Sequence, residues 1–516
     1  MTTSYIFTDR SALDTAVEAW ITDEAAAIET YGDINTWDVS GITDFSWLFR
    51  HTSFNSDISD WDVSNGTNFS AMFNYNGAFN QDISGWDVSN ATRLDSMFMY
   101  ANRFDQDISN WEISNEANLT HMFHGANRMR ERGVAVTPEP SYNGYFESLV
   151  PPPFAPADRT ELDTAVEAWI TDEAAAIETY GDINTWDVSG ITDFSQLFEF
   201  KREFNSDISD WDVSNGTNFR KMFHGASEFN QDIGDWDVSN GTDFNYMFMG
   251  ANEFNKDIGD WDVSNGTDFG AMFSTAYSFN QDIGNWDVSN GTNFNGMFGS
   301  ARSFNQDIGD WDVSNGTNFA VMFYGATSFN QDIGDWDVSN GTRFEAMFRQ
   351  TTFNQDIGDW DVGNGTNFSQ MFWGTQFNQD IGDWDVSNAT SFSHMFLHNK
   401  VFNQDIGDWD VSNASSFSSM FEMAEAFNQD LGDWDVSKAR NMEKMFNDSS
   451  FDHDIGDWDV SKVDNFGGMF AKTSFNHDIS EWDVSNARYF HGMFISNKEF
   501  DQNLQYWNAD RLYNTK

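Results

Sequence analysis

The sequence predicts a repeat solenoid in which each coil of 24–25 residues carries one short parallel β-strand and a short helical turn, with helical N-terminal caps. The first observation is a tryptophan that recurs every 25 residues from Trp211 to Trp336 and every 24 or 25 residues onward to Trp482. The second is that its surroundings recur with it, as in FNQDIGDWDVSNGTDF at 229–244. A fixed period in this range indicates a repeat array, whose coils bury their apolar faces by stacking on one another.

A short amphipathic helix is predicted at the start of each array. Its apolar residues follow helical spacing in the first copy, at Leu13, Val17, Trp20 and Ile21. Residues 162–195 are identical to 13–46, and 204–219 are identical to 54–69. The cap and the first coils were therefore duplicated as a block, and a helix at the end of an array is a usual capping device.

Three segments are predicted along the chain. Residues 1–128 form an N-terminal helical cap and a short repeat array, 129–157 a proline-rich linker, and 158–516 a second helical cap with a long repeat array. All six prolines lie in the linker, and such a composition is typical of an extended, semi-rigid spacer. The tryptophans mark 4 coils in the first array and 14 in the second.

Within one coil, an apolar alternation predicts the strand. Trp236 and Val238 are expected to point inward and Asp235 outward, because successive side chains of a strand alternate between its faces. Asn-Gly-Thr at 240–242 predicts a turn, since Asn and Gly tolerate left-handed backbone. A short helical turn is predicted from the i, i+3, i+4 spacing of Phe244, Met247 and Phe248.

The repeat FNQDIGDWDVSNGTxFxxMFxGA resembles that of BspA-family leucine-rich-repeat bacterial surface proteins. The resemblance covers nearly the whole chain outside the linker and rests on W-D-V-S followed by M-F. It implies a leucine-rich-repeat-like solenoid displayed on a surface and associated with cell adhesion. The chain departs from that family because no signal peptide, lipoprotein cysteine or wall-anchoring segment is visible, and it departs from ordinary leucine-rich repeats because tryptophan replaces a leucine.

The composition excludes several classes of partner. Asp and Glu number 83 against 26 Lys and Arg, which gives a formal net charge of -57. Nucleic acid and anionic membranes need positive patches, so neither is expected as a partner. No apolar stretch is long enough to predict membrane insertion. No signal peptide is visible, because the N-terminus has no basic region followed by an apolar run.

Aspartates beside the recurring tryptophan are the densest polar feature. Stacked coils would place them in columns of like charge, which repel unless cations intervene. The sequence requires no cofactor, and calcium is the one candidate ion, since it accepts flexible carboxylate sets. The alternative is that one aspartate per coil binds turn amides while the others stay solvated. The predicted metal ligands are Asp232, Asp235, Asp237, Asp257, Asp260 and Asp262.

The residues flanking Met-Phe vary most between coils. Large aromatic, aliphatic and cationic residues occur there, and Tyr, Trp and Arg are the types that dominate binding hot spots. The predicted partner-binding stripe consists of Tyr324, Arg349, Trp373 and Leu397. The alternative is neutral variation on an unselected face.

Together these patterns predict a non-enzymatic surface adhesion or recognition solenoid. Paired carboxylates recur in every coil, whereas a catalytic pair is a single desolvated site, so an enzyme is not expected. The expected partner is a protein or a glycan on a surface, through a protein-protein interaction or glycan binding, and the expected location is extracellular, at a cell surface or on a virion surface. The alternative is a structural component of a virion fibre or extracellular appendage, whose partners are the other subunits of that assembly.

Overall fold

The structure is a computed structural model that describes residues 5–108, 111–114, 117–124, 126, 153–505 and 507. The predicted linker, 129–157, lies outside the described residues except for its last five positions. The chain divides into two compact units, one of Met1–Ala155 with Ala174–Trp186 and one of Pro156–Glu173 with Asp187–Lys516. The domain limits predicted from sequence stay a prediction.

Four short helices lie before the arrays: α1 (Arg10–Thr22), α2 (Glu24–Tyr31), α3 (Arg159–Thr171) and α4 (Glu173–Tyr180). The sequence predicted one helix at each place, and each place has two. The division falls at Asp23, whose side chain accepts a hydrogen bond from the Ala26 amide and so starts α2. Helix α1 buries Leu13 and Trp20, whereas Ile21 is 43% exposed. None of the described helices has the length and apolar content needed to cross a membrane.

The predicted leucine-rich-repeat-like solenoid with one parallel strand per coil is wrong. No strand forms among the described residues, and neighbouring coils meet at single parallel bridges such as Asp243 with Asp268. The Trp-Asp-Val segment cannot extend into a ladder because its backbone groups close turns within the coil. Trp236 N donates to Ile233 O at 3.2 Å, and Gly241 N donates to Val238 O at 2.8 Å.

The helical turn predicted from Phe244, Met247 and Phe248 is also wrong; the segment concerned is 244–250. This turn segment consists of overlapping turns, with left-handed residues at Tyr246 (φ 61) and Gly250 (φ 73). Alternate amides close the turns: those of Met247 and Met249 donate three residues back at 3.1 Å each. A residue with positive φ at the third position of a turn cannot continue a helix. The amides that alternate with those of Met247 and Met249 therefore point out of the coil.

Those remaining amides join each coil to the next one. Phe244 N donates to Asp268 O at 2.9 Å, and Tyr246 N donates to the carbonyl of Gly270 at 2.8 Å. The same pattern repeats from coil to coil, and we call it the turn ladder. In every bond of the ladder, an amide of one coil donates to a carbonyl of the next coil. The equivalent carbonyls of the first coil in each array therefore have no preceding coil to donate to them.

An arginine of the cap helix satisfies these first carbonyls. Arg10 Nη1 donates to Asp44 O at 3.0 Å, and Nη2 donates to Ser46 O at 2.6 Å. In the second array, Arg159 makes the equivalent bonds, to Asp193 O at 3.0 Å and Ser195 O at 2.6 Å. Because backbone polar groups need partners, these arginines terminate the ladder.

The core consists of columns of equivalent side chains. Trp236 and Val238 are 3% and 1% exposed, whereas Asp235 is exposed, so the predicted inward and outward alternation is confirmed. Phenylalanine rings stack between coils, as Phe223 does on Phe248 with centroids 5.4 Å apart. Each buried indole also needs an acceptor, and Trp236 Nε1 donates to a carbonyl of the preceding coil at 3.1 Å.

Candidate recognition face

The turn segments present the variable side chains to solvent. In residues 244–250, Phe244, Met247 and Phe248 are fully buried, while Tyr246 and Met249 are half-buried. We call the surface formed by these outward positions in successive coils the turn face. The turn ladder fixes its backbone, so side chains that are one period apart lie over one another.

Three residues of the predicted partner-binding stripe come together on this face. The Arg349 guanidinium carbon lies 3.7 Å from the ring centroid of Trp373 and 5.2 Å from that of Tyr324. Arg349 Nη1 also donates to Gln370 Oε1 at 2.5 Å. Each such cation–π contact contributes about 0.5–1 kcal/mol at an exposed site. The cation is therefore held between two aromatic rings in a fixed orientation.

One neighbour, His394, completes this cluster, and one predicted member, Leu397, does not reach its surface. Trp373 stacks on His394 with centroids 5.8 Å apart. Burial holds the pKa of His394 below its usual value; the Glu422 charge opposes this shift and the Arg349 charge adds to it. The lowered pKa favours the neutral imidazole over the cation. Leu397 is only 6% exposed, so its side chain is part of the core and not of the exposed stripe.

The first array carries a second aromatic and cationic cluster that the sequence analysis did not single out. Trp47 is 51% exposed, and the Arg50 guanidinium carbon lies 4.2 Å from its ring centroid. Beside them the His51 ring stacks on Tyr75 at 4.7 Å, and Tyr75 lies 4.6 Å from Tyr100. These residues flank Met-Phe or Leu-Phe, as the residues of the predicted partner-binding stripe do. Their position relative to that pair is the sequence signal that could have identified them.

A third cluster lies at the start of the second array. Phe200 is 62% exposed, with its ring 4.6 Å from that of His224. Glu199 accepts hydrogen bonds from His224 Nδ1 at 2.9 Å and Lys221 Nζ at 3.2 Å. Burial alone would raise the pKa of Glu199, but these two bonds lower it below its usual value. The cluster therefore contains an ionised carboxylate, unlike the one around Trp47.

The duplicated blocks differ at one place, and it lies on the turn face. Between the identical stretches, residues 47–53 read WLFRHTS and residues 196–203 read QLFEFKRE. In the second block these residues and α3 line a groove of about 770 Å³, where Lys201 Nζ lies 2.5 Å from Glu167 Oε2. In the first block Trp47 takes the position of the polar Gln196. An unchanged scaffold thus presents two different surfaces.

The aspartate columns are partly engaged in turns. The Oδ1 atoms of Asp237 and Asp262 accept the Ser239 and Ser264 amides, each at 3.0 Å. Asp232 and Asp257 likewise accept a glycine amide, at 3.3 and 3.0 Å. Asp235 and Asp260 are exposed. Across the described ranges, no three His, Cys, Asp or Glu side chains are grouped so that they could hold a metal ion. Calcium binding stays a prediction, which melting temperatures in calcium and in chelator at equal ionic strength would check.

Half-buried carboxylates in neighbouring coils lie beside the turn face. Asp268 Oδ1 accepts from the Gly270 amide and from two asparagine side chains, at 2.8–3.0 Å. Asp243, one coil earlier, accepts the Asn245 amide at 2.9 Å. Burial raises the pKa of Asp243, and the Asp268 charge adds to that rise. Asn is the most frequent residue at the equivalent positions, and a neutral amide there avoids this cost.

The architecture defines a repeat protein whose coils stack through a one-directional turn ladder and display variable side chains on one face. The chain matches the model of DUF285, described as a Mycoplasma protein of unknown function, over residues 22–135, 168–281, 257–352, 342–450 and 433–516. It therefore belongs to the DUF285 family. These matches confirm a repeat protein but not membership of the BspA family. No curated protein and no solved structure matches the chain.

Proposed function

We propose that this protein is a non-enzymatic adhesion or recognition module that binds a protein or glycan through its turn face, at a cell surface, outside a cell or on a virion. The observation that carries the proposal is the difference between the duplicated blocks. Identical sequences on both sides of 47–53 and 196–203 preserve the same cap and coil, while the exposed residues between them change in charge and aromatic content. Change confined to one exposed segment favours a role in binding over a role in folding.

The chemistry of the turn face supports the same proposal. Tyr, Trp and Arg supply a large contact area with little loss of side-chain entropy when they are already held in place. Arg349 is held between Trp373 and Tyr324, and Arg50 lies over Trp47. These clusters are preorganised and stand out in a chain whose net charge is -57. An adhesion role would also agree with the resemblance to BspA-family surface proteins.

The test removes one cluster and leaves the core intact. A Tyr324→Ser, Arg349→Ser, Trp373→Ser variant should keep its melting temperature within a few degrees and lose attachment to a glycan array or to immobilised extracellular-matrix proteins. The matched control replaces the exposed aspartates Asp235 and Asp260 with serine. Unchanged attachment of the triple variant would contradict the role of this cluster, and unfolding would contradict its placement on the surface.

The alternative is a structural subunit of a virion fibre or extracellular appendage. Duplicated blocks favour it, because 13–46 and 162–195 offer identical surfaces to repeated partners in an assembly. Fractionation of the source cells separates the two proposals. A subunit co-purifies with particles or filaments, whereas an adhesion module is labelled by antibody on intact cells that lack them.

A further inference from the structure

A structural rule holds at one corner of nearly every described coil before residue 438. The Asn of Ser-Asn-Gly donates to a carbonyl of the preceding coil, as Asn240 Nδ2 does to Ser214 O at 2.8 Å. The Thr two residues later does the same, as Thr242 Oγ1 does to Thr217 O at 3.1 Å. These side chains join successive coils at the corner that precedes the turn segment.

Several of these corner positions carry cations in the late coils of the second array. Asn486 still keeps the rule and donates to Ser461 O at 2.7 Å, and Lys438, at another Asn position, donates to Asn413 Oδ1 at 2.5 Å. Lys462 stands at an Asn position, while Arg440 and Arg488 stand at Thr positions. Among the described residues, none of the side chains of Arg440, Lys462 and Arg488 donates to a backbone carbonyl of the preceding coil. Each of these three replacements therefore gives up one side-chain hydrogen bond between coils, which contributes about 0.5–1.5 kcal/mol when it forms.

The three cations line one groove. It has a volume of about 560 Å³ and is also lined by Asn441, Asn465, Asn486, Asp464 and Tyr489. Arg488 Nε lies 3.4 Å from Asp464 Oδ1, yet its side chain is 76% exposed. Asp459 is a second carboxylate close to these cations, because the charge of Lys462 contributes to lowering its pKa. The backbone of Arg440 bonds to both neighbouring coils, at 2.9 Å to Ser415 O and 2.8 Å from Asp464 N, but among the described residues its side chain has no hydrogen-bond or ion-pair partner.

The groove combines the groups that bind an acidic sugar. Arginine and lysine bind oxyanions through charge-assisted hydrogen bonds, and the arginine fork can do so in two places at once. Tyr489 is 57% exposed at a position where most other coils carry Asn, Asp or Ser, so it offers an aromatic face beside the cations. Nearby asparagine amides can bind hydroxyl groups. We infer that this groove binds a carboxylated or sulfated glycan.

The charge of the whole chain favours a glycan over nucleic acid. Duplex DNA carries one negative charge per about 1.7 Å of its axis, and a protein with a net charge of -57 repels such a dense polyanion. A glycan whose anionic groups are separated by neutral sugar rings can place one oxyanion in the groove at a lower electrostatic cost. The site lies at the coil corner and involves none of Tyr324, Arg349 and Trp373, so it stands apart from the proposed recognition cluster.

The decisive variant restores the structural rule. Arg440→Thr, Lys462→Asn and Arg488→Thr together introduce the residues that earlier coils carry, so the variant should melt at the same temperature or higher. Titration of the full chain with a chondroitin sulfate octasaccharide at low salt should show saturable binding. The triple variant should weaken that binding by about tenfold or more, a factor that corresponds to about 1.4 kcal/mol.

The controls separate this site from general charge effects. A Lys400→Ser, Lys472→Ser, Lys498→Ser variant removes the same number of charges outside the groove and should bind like the unaltered protein. Dextran of equal length should not bind. The inference fails if the unaltered protein does not bind the octasaccharide, if both triple variants lose binding equally, or if single-stranded DNA binds as tightly at the same site.

Discussion

Replacement of Arg159 by methionine tests whether the cap arginine terminates the turn ladder. The side chain donates to two ladder carbonyls, at 3.0 and 2.6 Å, and its Nε lies 2.8 Å from Asp163 Oδ1. Methionine keeps the apolar stem but removes every donor. The carbonyls of Asp193 and Ser195 would then be left to water or remain unpaired.

The magnitude follows from these contacts. A hydrogen bond to a charged group contributes about 1.5–3 kcal/mol, and exposure of the arginine lowers that value. Its side chain is 25% exposed, and we expect the two carbonyl bonds together to contribute about 2 kcal/mol. Because each coil of an array contacts only its neighbours, the effect should concentrate in the first coils.

The assay is hydrogen exchange in the full chain, with urea unfolding for the total free energy. Amides near residues 194–200 should lose protection, while those beyond residue 300 should be unchanged. Arg10→Met should have the same effect in the first array. Arg202→Met provides the control, because Arg202 is exposed and its side chain makes no contact with the ladder. If R159M and R202M have equal unfolding free energies and equal protection, the arginine does not terminate the ladder.

Three further predictions concern the core, the half-buried carboxylate of Asp243 and the duplicated segment. Trp286→Ala removes a buried ring and its 3.0 Å bond to Ile258 O, and should cost about 3–5 kcal/mol in urea unfolding; a change below 1 kcal/mol would place this ring outside the core. Asp243 has a raised pKa in the folded protein, so its stabilising contribution is complete below the unfolded pKa and is lost as pH rises through the folded pKa. Asp243→Asn should therefore be more stable than the unaltered protein at pH 7, and this advantage should shrink on acidification; an advantage that does not depend on pH would contradict the pKa argument. Replacement of 47–53 by the sequence of 196–203 should preserve the melting temperature and change the ligands bound on a glycan array, whereas identical ligands would show that this segment does not select them.

The sequence alone determined the repeat, its period and its core. A period of 24–25 residues is a local property of the chain, and so is the apolar spacing that buries Trp236, Val238, Phe244, Met247 and Phe248. The helical spacing around Leu13 and Trp20 likewise located the first helices, although the cap at Asp23 divides them. Variation between coils pointed to Arg349 and Trp373, because equivalent positions must lie over one another in any stack.

The tertiary structure alone decided how the backbone of each coil is bonded. The spacing of Phe244, Met247 and Phe248 suits a helical turn and a chain of overlapping turns equally well. The difference lies in the sign of φ at Tyr246, and a tyrosine seldom adopts positive φ unless its surroundings require it. Here the requirement is the next coil, whose carbonyls accept alternate amides. The same long-range bonds replace the predicted strand and create the free carbonyls that Arg10 and Arg159 bind, which no local pattern of residues encodes.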